Sequence, residues 1–347
     1  MKKITILALS IASFFAASSA HAVEGGTPIS WVDHPYLVES RCTGTVLAGK
    51  YVMLAGHCAL GELRPVNLSN GTSIMPTGRN TLYKPELPET EYADIALWTL
   101  PKSAPMDKIV FIDDLNNAAN APQLNDEVTI MGFGQNDSVP RLGMITNYIT
   151  SILYPEIYIY GHATQYITNG DSGAPVFNSA NRIISTMYSS TGSNDPATGL
   201  YEQNGVNLRL VKNWLLKGIN DWHSPTELKF TGAQTIEIQS LHVNDKNLAD
   251  RWNNKTLTAG EITVMGGTCV TDMIVPFGTC TLDVDAGVGE GKIKLTDNNI
   301  VTINRAAIVE PDMGGSTDKD NNNSGGGGGS LGWLTLLALL PLAWRRK

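Results

Sequence analysis

The sequence has few cysteines, no concentrated charge and no short metal-binding motif. It contains four cysteines among 347 residues and no C-x-x-C pair, so the cysteines are not expected to form a metal site. The net charge of −8 is unclustered and no basic patch is present, which argues against nucleic acid as a partner. No G-x-S-x-G nucleophile elbow lies between a predicted strand and a helix, so an esterase or lipase is not favoured. No metal or other cofactor is expected.

The N-terminal segment predicts export. Two lysines at positions 2 and 3 precede an apolar run over residues 4–17, and residues 20–22 have the A-x-A pattern of a cleavage site. We therefore interpret residues 1–22 as a signal peptide whose removal leaves Val23 as the first residue. A cut after Ala20 is the alternative, and it leaves a short extension that must be trimmed. In an exported chain, four cysteines indicate two disulfides.

The segment around Ser172 carries the strongest indication of chemistry. A serine between glycines, directly after an acid, can present its hydroxyl on a tight turn, with the amides of Gly170 and Ser172 directed into one small space. His57 and Asp94, further upstream, supply a base and an acid that can orient it. This order of His, Asp and Ser along the chain is that of the chymotrypsin-type triad, whereas other triad folds use other orders.

Several segments within residues 23–222 resemble the trypsin/chymotrypsin-like serine proteases. His57 directly precedes Cys58 in a segment that looks like the first disulfide loop of that family. A Gly-aromatic-Gly strand and a closing strand with a C-terminal helix are also similar. The segments that carry the resemblance are 42–47, 55–58, 130–134, 169–175, 205–208 and 211–222.

The resemblance implies a role for each residue of the motif. Ser172 attacks the scissile carbonyl, His57 takes the proton and returns it to the leaving amine, and Asp94 holds the imidazole. The N–H groups of Gly170 and Ser172 form the oxyanion hole.

The resemblance also implies an activation device and a disulfide. In this family the freed N-terminal ammonium, here that of Val23, folds inward and pairs with the acid before the catalytic serine, here Asp171. Signal peptidase alone would then generate the active enzyme. Cys42 and Cys58 correspond to the family's first disulfide, and Cys269–Cys280 is the second pair expected.

The substrate pocket departs from the tryptic pattern. Tyr166, six residues before Ser172, stands where the family has the base of the primary pocket, and it is not the acid that cleavage after Lys or Arg requires. We favour a neutral or apolar preference. Alternatively, the tyrosine fills the pocket and admits only small side chains. The pocket residues expected are Tyr166, Ile167, Tyr188, Ser189 and Gly205.

The periodicity of the sequence predicts a mostly β chain. Short β-branched or aromatic runs bounded by turn residues predict strands, and apolar spacing predicts a helix over residues 211–222. The fold class expected is all-β, and the resemblance supplies a chymotrypsin-like double β-barrel with a C-terminal helix for residues 23–223. The strands predicted for this part are 51–54, 95–100, 128–132, 148–153, 157–160, 174–177 and 182–188.

The rest of the chain is expected to hold a second β domain and a tail. Residues 224–310 contain alternating strand patterns, and the segment around Cys269 and Cys280 resembles immunoglobulin-like β-sandwiches of bacterial surface proteins. Such a domain serves as a docking module or a spacer. Residues 311–330 form a Gly/Asn-rich linker. Residues 331–347 consist of an apolar run, about 21 Å long as a helix, and a basic end. We expect the run to form a short apolar helix, and together with the glycines before it the segment resembles a GlyGly-CTERM sorting tail. A permanent membrane anchor is the alternative.

The function predicted is an exported serine endopeptidase that acts on proteins or peptides. The tail implies a Gram-negative periplasm, signal peptidase, a rhomboid-type sorting protease and the type II secretion machinery, with release or cell-surface anchoring afterwards. A monomer is expected. The alternative is a surface-binding or adhesion protein that uses the protease fold as a scaffold.

Overall fold

The computed structural model describes residues 23–84, 86, 92–134, 140–153 and 157–306. The described residues fall within one compact unit that ends at Ala306. The predicted signal peptide (1–22), the linker (311–330) and the short apolar helix of the tail (331–347) lie outside the described residues.

The chain is mostly β, as predicted. The strands before residue 100 are β1 (Thr27–Ile29), β2 (Leu37–Glu39), β3 (Thr43–Leu47), β4 (Tyr51–Leu54), β5 (Val66–Asn67), β6 (Ser73–Ile74), β7 (Gly78–Thr81) and β8 (Ala96–Thr99). Those of the middle part are β9 (Glu127–Gly132), β10 (Leu142–Leu153), β11 (Ile157–His162), β12 (Pro175–Phe177), β13 (Ile183–Asn194) and β14 (Tyr201–Asn207). After them come α1 (Leu208–Ile219), β15 (Asp221–His223), β16 (Glu227–Leu228), β17 (Gly232–Leu241), α2 (Ala249–Asn253), β18 (Thr258–Gly266), α3 (Thr268–Thr271), β19 (Thr279–Lys294) and β20 (Ile300–Ile303).

Two curled sheets form the two-barrel architecture. The first has the order β6-β5-β2-β3-β4-β8-β7. The second has the order β1-β10-β11-β14-β13-β12-β9, and β9 also pairs with β10, so six of its strands close into a barrel. One cluster of buried apolar side chains fills the first barrel and extends onto strands of the second sheet, and another lies within the second barrel. The all-β, chymotrypsin-like double-barrel expectation is confirmed.

The helix that follows the second barrel lies earlier in the chain than the predicted range of 211–222. It spans Leu208–Ile219 because the side chain of Asn207 accepts the N–H of Arg209 and caps its first turn. The residue after the helix, Asn220, caps its C-terminal end in the left-handed conformation, with φ +45°. Trp222 therefore lies in β15 rather than in the helix.

A third sheet contains the strands after α1. Its order is β15-β17-β19-β20-β16, with β18 paired to β19. Its buried side chains form a separate apolar cluster that includes the Cys269–Cys280 disulfide. Whether this sheet belongs to the immunoglobulin-like class stays a prediction.

His223 lies fully buried between the third sheet and the first barrel. Its Nδ1 accepts the Ala48 N–H at 3.0 Å, and its Nε2–H donates to the Val110 carbonyl at 2.9 Å. The ring must be neutral to accept and donate at once, and burial lowers the pKa of His223 to about 4.

His223 therefore makes the fold sensitive to acid. The pKa of His223 is near 6.5 in the unfolded chain and about 4 in the folded protein. Its contribution to the free energy of unfolding is therefore complete above pH 6.5 and is lost as the pH falls to about 4. This difference corresponds to about 3 kcal/mol. Denaturant unfolding at pH 7 and at pH 4 measures it. We expect a smaller pH-dependent loss in the variant His223→Gln, and an unchanged loss contradicts the assignment.

Candidate active site

The first barrel carries His57 on a short 3-10 turn, Gly56–Ala59, that follows β4. A side chain at Gly56 would place its Cβ 2.4 Å from the Tyr83 Cβ and 3.0 Å from Asp94 Oδ1, so the turn packs closely here and favours glycine. The imidazole of His57 remains 35% exposed, so the turn leaves it open to a substrate.

Asp94 lies next to this turn, just before β8. Its Oδ2 is 2.9 Å from His57 Nδ1, and its Oδ1 accepts the backbone N–H of His57 at 2.8 Å. The carboxylate thus fixes both the backbone and the ring of one residue. Asp94 is 9% exposed, and the bond orients the ring so that its Nε2 is left for chemistry.

The loop that carries Ser172 belongs to the second barrel and contacts β3 of the first. The Thr43 N–H donates to the Ser172 carbonyl at 3.0 Å, and the Thr43 hydroxyl donates to the Gly170 carbonyl at 3.0 Å. The same hydroxyl accepts the Phe133 N–H at 3.1 Å. Thr43 therefore joins the serine loop to the barrel that carries His57 and Asp94. The sequence analysis did not single out Thr43.

Gly173 allows this close approach. Its φ is +93°, and a Cβ there would lie 2.0 Å from the Thr43 carbonyl oxygen. The Cys58 sulfur lies 3.9 Å from the Ser172 carbonyl oxygen, so the His57 turn and the serine loop are neighbours.

The backbone N–H groups of the serine loop fall into two kinds. Those of Asp171 and Gly173 donate to the carbonyls of Thr168 and Met187. Those of Gly170 and Ser172 donate to no partner among the described residues. Gly170 also has a positive φ, +95°. The two N–H groups assigned to an oxyanion hole are therefore left unpaired by the described part of the fold.

Asp171 is fully buried beneath this loop. Its carboxylate accepts the N–H groups of Gly134 at 2.6 Å and Thr168 at 2.7 Å, and the Thr168 hydroxyl at 3.2 Å. Burial raises the pKa of Asp171 to about 7 despite these donors. A nearby cation would favour the carboxylate of Asp171 over the neutral acid at neutral pH.

Val23 is buried within the second barrel. It belongs to the apolar cluster of that barrel and has no exposed surface. The next residue, Glu24, forms a two-way backbone bridge with Tyr166, at 3.0 and 3.2 Å. The residue that directly follows the predicted cleavage site is thus buried in the second barrel, to which the loop of Asp171 also belongs.

Tyr166 and Ile167, two of the predicted pocket residues, face different surroundings. The ring of Tyr166 stacks on Tyr201, with centroids 4.1 Å apart and an interplanar angle of 12°. Ile167 is buried in the barrel cluster, and its N–H donates to the carboxamide of buried Gln203 at 2.8 Å. Only the tyrosine presents accessible surface at this point.

The other predicted pocket residues lie on the paired strands β13 and β14. Tyr188 is half-buried against the apolar core, and the Ser189 hydroxyl accepts from the Asn204 amide at 2.9 Å. A Cβ at Gly205 would lie 2.3 Å from Ser185 Oγ, so this position admits no side chain. These strands bring Tyr188, Ser189 and Gly205 together.

Both predicted disulfides are present. Cys42 bonds Cys58, and Cys269 bonds Cys280. Among the described residues, the one group of possible metal ligands is Cys42, His57 and Cys58, and the disulfide leaves neither sulfur as a thiolate. No helix in the described ranges is both long and apolar enough to cross a membrane.

The contacts of Thr43 lead to a prediction. Thr43→Val removes both hydrogen bonds of its hydroxyl at nearly constant volume, so we expect a loss of about 2 kcal/mol in stability and a roughly 10- to 100-fold lower turnover. Thr45→Val on the same strand is the control, because the buried Thr45 hydroxyl has no hydrogen-bond partner among the described residues. Equal effects in both variants, in thermal unfolding and peptide kinetics, contradict the role of Thr43.

Comparison with known proteins agrees with this geometry. The trypsin family model matches residues 25–204, more than half of the chain. The chain therefore belongs to the trypsin family, and its fold is that of a serine protease hydrolase. No curated protein matches it.

Solved structures of low sequence identity are also similar. One is neuropsin, a serine protease expressed in the limbic system of mouse brain, with 18% identity, a TM-score of 0.47, and coverage of 56% of this chain and 99% of that one. Another is a mutant of human heparin binding protein (CAP37), with 16% identity, a TM-score of 0.47, and coverage of 56% and 96%.

Proposed function

We propose that the protein is an exported serine endopeptidase that cuts peptide bonds through His57, Asp94 and Ser172. The observation that carries this proposal is the double hydrogen bond between Asp94 and His57, beside a serine loop docked on the same barrel. Ser172 attacks the carbonyl and forms an acyl-enzyme, and His57 moves the proton from the serine to the leaving amine.

The oxyanion of the tetrahedral intermediate is held by the amides of Gly170 and Ser172. Support comes from the hydrogen bonding of the loop, because both N–H groups lack a partner among the described residues, whereas those of Asp171 and Gly173 are paired. Donors that are already oriented toward the developing charge need no rearrangement during the reaction.

The enzyme becomes active when signal peptidase exposes the α-amino group of Val23. This ammonium pairs with Asp171, whose burial raises its pKa to about 7 when no cation is present. The complete burial of Val23 and the bridge between Glu24 and Tyr166 support an inward path for the new N-terminus. The pair would hold the oxyanion loop in place.

The primary pocket does not select basic side chains. Tyr166 occupies the expected base, and its stacking on Tyr201 supports an aromatic, uncharged surface there. We therefore expect cleavage after neutral residues, either apolar or small. A fluorogenic peptide panel tests this, and a strong preference for Arg or Lys contradicts it.

Export and anchoring complete the proposal. The signal peptide and two disulfides fit a secreted protein in an oxidising compartment. The GlyGly-CTERM-like tail supports sorting by a rhomboid-type protease and type II secretion from a Gram-negative cell. We propose a monomer in which residues 224–310 form an immunoglobulin-like domain.

A binding or adhesion protein on a protease scaffold is the second candidate. No observation in the structure favours it over the enzyme, and the retained contacts of His57, Asp94 and the serine loop speak for catalysis. Purified protein incubated with an unfolded protein substrate separates the two. The enzyme yields new peptide termini that a serine-directed inhibitor suppresses, and a scaffold yields none.

A further inference from the structure

The segment that joins the two barrels, residues 100–126, is attached to both of them. We call it the connector. The Ala104 N–H donates to the Gly49 carbonyl of the first barrel at 2.8 Å. Further along, the Ile183 N–H of the second barrel donates to the Phe111 carbonyl at 2.9 Å, and the Asp113 N–H donates to the Ile183 carbonyl at 3.0 Å. The connector therefore links the part of the site on one barrel to the part on the other.

The start of the connector is also held by the segment after β15. The buried Thr226 hydroxyl donates to the Ala104 carbonyl at 2.7 Å and accepts the Met106 N–H at 2.8 Å. The backbone N–H groups of Thr226 and Glu227 both donate to the Met106 carbonyl. Four hydrogen bonds thus join this segment to the backbone groups of Ala104 and Met106 in the connector.

The middle of the connector, at Ile112, is held by Gln239 of β17. Its carboxamide oxygen accepts the Ile112 N–H at 3.0 Å, and its amide donates to the carbonyls of Ile112 at 2.6 Å and Phe277 at 2.9 Å. Gln239 is fully buried. Ile112 bridges Ile183 on its other side, so the connector is fixed between the third sheet and the second barrel.

Phe277 anchors the third sheet in the peptidase core. The residue is 1% exposed and belongs to the same apolar cluster as the first barrel, together with Leu241. Its φ is +67°, a left-handed conformation that is unfavourable for a bulky residue. Its side chain belongs to the cluster that also contains connector residues such as Ile112, rather than to the cluster of its own sheet.

We propose that the third sheet is a clamp that positions the two halves of the active site, through the hydrogen bonds of Thr226 and Gln239 with the connector and the packing of Phe277 in the apolar cluster that contains connector residues. This inference rests on the proposed function, because it assigns the sheet to the same reaction. It replaces the idea of an independent spacer or docking module with that of a permanent part of the peptidase.

Short paths lead from the clamp to both parts of the site. Gln239 holds Ile112, which bridges Ile183 at the start of β13, and Met187 of β13 accepts the Gly173 N–H at 2.6 Å. On the other barrel, His223 holds Ala48 in the turn before β4, and β4 leads directly into the His57 turn.

The test replaces Gln239 with leucine, which keeps the volume and removes three hydrogen bonds. Gln234→Leu is the control, because Gln234 is exposed on the same strand. Amide hydrogen exchange of the full chain is followed at Ile112 in the connector and at Thr43 and Gly173. The Thr43 N–H donates to the Ser172 carbonyl, and the Gly173 N–H donates to the Met187 carbonyl of β13. We expect at least roughly 10-fold faster exchange at all three in Gln239→Leu only.

Faster exchange confined to β17, or equal exchange in both variants, overturns the clamp. This readout does not need catalysis, so it decides the clamp even if the wild-type protein proves inactive and the proposed function fails. If the protein is active, labelling by a fluorophosphonate is also expected to be slower in Gln239→Leu than in Gln234→Leu.

A milder variant guards against complete unfolding. Thr226→Val keeps the shape of the side chain and removes only its hydroxyl contacts with Ala104 and Met106. The same faster exchange at Thr43 and Gly173, to a smaller degree, supports the clamp. Unchanged exchange at both amides in a folded Thr226→Val protein counts against it.

Discussion

Ser172→Ala is expected to lower kcat for peptide cleavage by ~10⁴–10⁶ while KM stays within a few-fold of its original value. The change removes the attacking oxygen, and no neighbouring group can replace it. Substrate binding and the amides of Gly170 and Ser172 are retained, so a small residual rate above the uncatalysed reaction is expected. Steady-state kinetics with one fluorogenic peptide, chosen from the panel described above, measures the effect.

The fold of the Ser172→Ala protein should be intact. The hydrogen bond that Ser172 itself makes uses its backbone carbonyl, which accepts the Thr43 N–H, and alanine preserves it. Thermal unfolding is therefore expected to match the original protein. Ser193→Ala, an exposed position on β13, is the control and should keep full activity. A Ser172→Ala protein with near-normal turnover excludes the proposed nucleophile.

Asp171→Asn is expected to lower kcat by ~10²–10³, because it removes the negative charge and replaces one of the two oxygens that accept the Gly134 and Thr168 N–H groups with a donor, and so displaces at least one amide of the oxyanion loop. Adding one residue between Ala22 and Val23 should have a similar effect, since it moves the terminal ammonium by about 3.5 Å. Asp107→Asn, an exposed change, is the control. N-terminal sequencing must accompany the kinetics, and active material that does not begin at Val23 contradicts this activation route.

The pH dependence of the unprocessed chain gives a second readout. Without the ammonium, burial raises the pKa of Asp171 from 3.8 to about 7. Because the folded pKa is the higher one, stability is complete below pH 3.8 and is lost as the pH rises to about 7, by about 4 kcal/mol. The processed chain should lose much less over this range, as measured by denaturant unfolding. Equal losses in both forms argue against the pair.

Sequence reasoning singled out the proposed reacting side chains but not the group that joins the two barrels. His57, Asp94 and Ser172 stand in recognisable motifs, and in the structure His57 Nδ1 lies 2.9 Å from Asp94 Oδ2. Thr43 lies in the segment that carries the resemblance, yet nothing in its spacing indicates that its hydroxyl reaches Gly170, 127 positions away. Such a contact depends on how the two barrels pack, and local patterns do not encode that.

The third sheet shows the same limit. The alternating patterns at 235–238 and 292–295 predicted strands; β17 contains the first, and β19 contains the second as far as Lys294, where that strand ends. Its attachment to the peptidase could not be predicted, because a buried Gln239 and a left-handed Phe277 are both contrary to the usual preferences of those residues. The start of α1 differs from the predicted residue 211 for a local reason, because the side chain of Asn207 caps a helix that begins at Leu208.

Labelling with a fluorophosphonate, followed by mass spectrometry of the peptides, tests the central claim most directly. The reagent reacts with a serine only where a base and an oxyanion hole activate it. We predict one label per processed molecule, on Ser172, and loss of labelling in Ser172→Ala. Labelling at another residue, or none in processed protein that begins at Val23, contradicts the account.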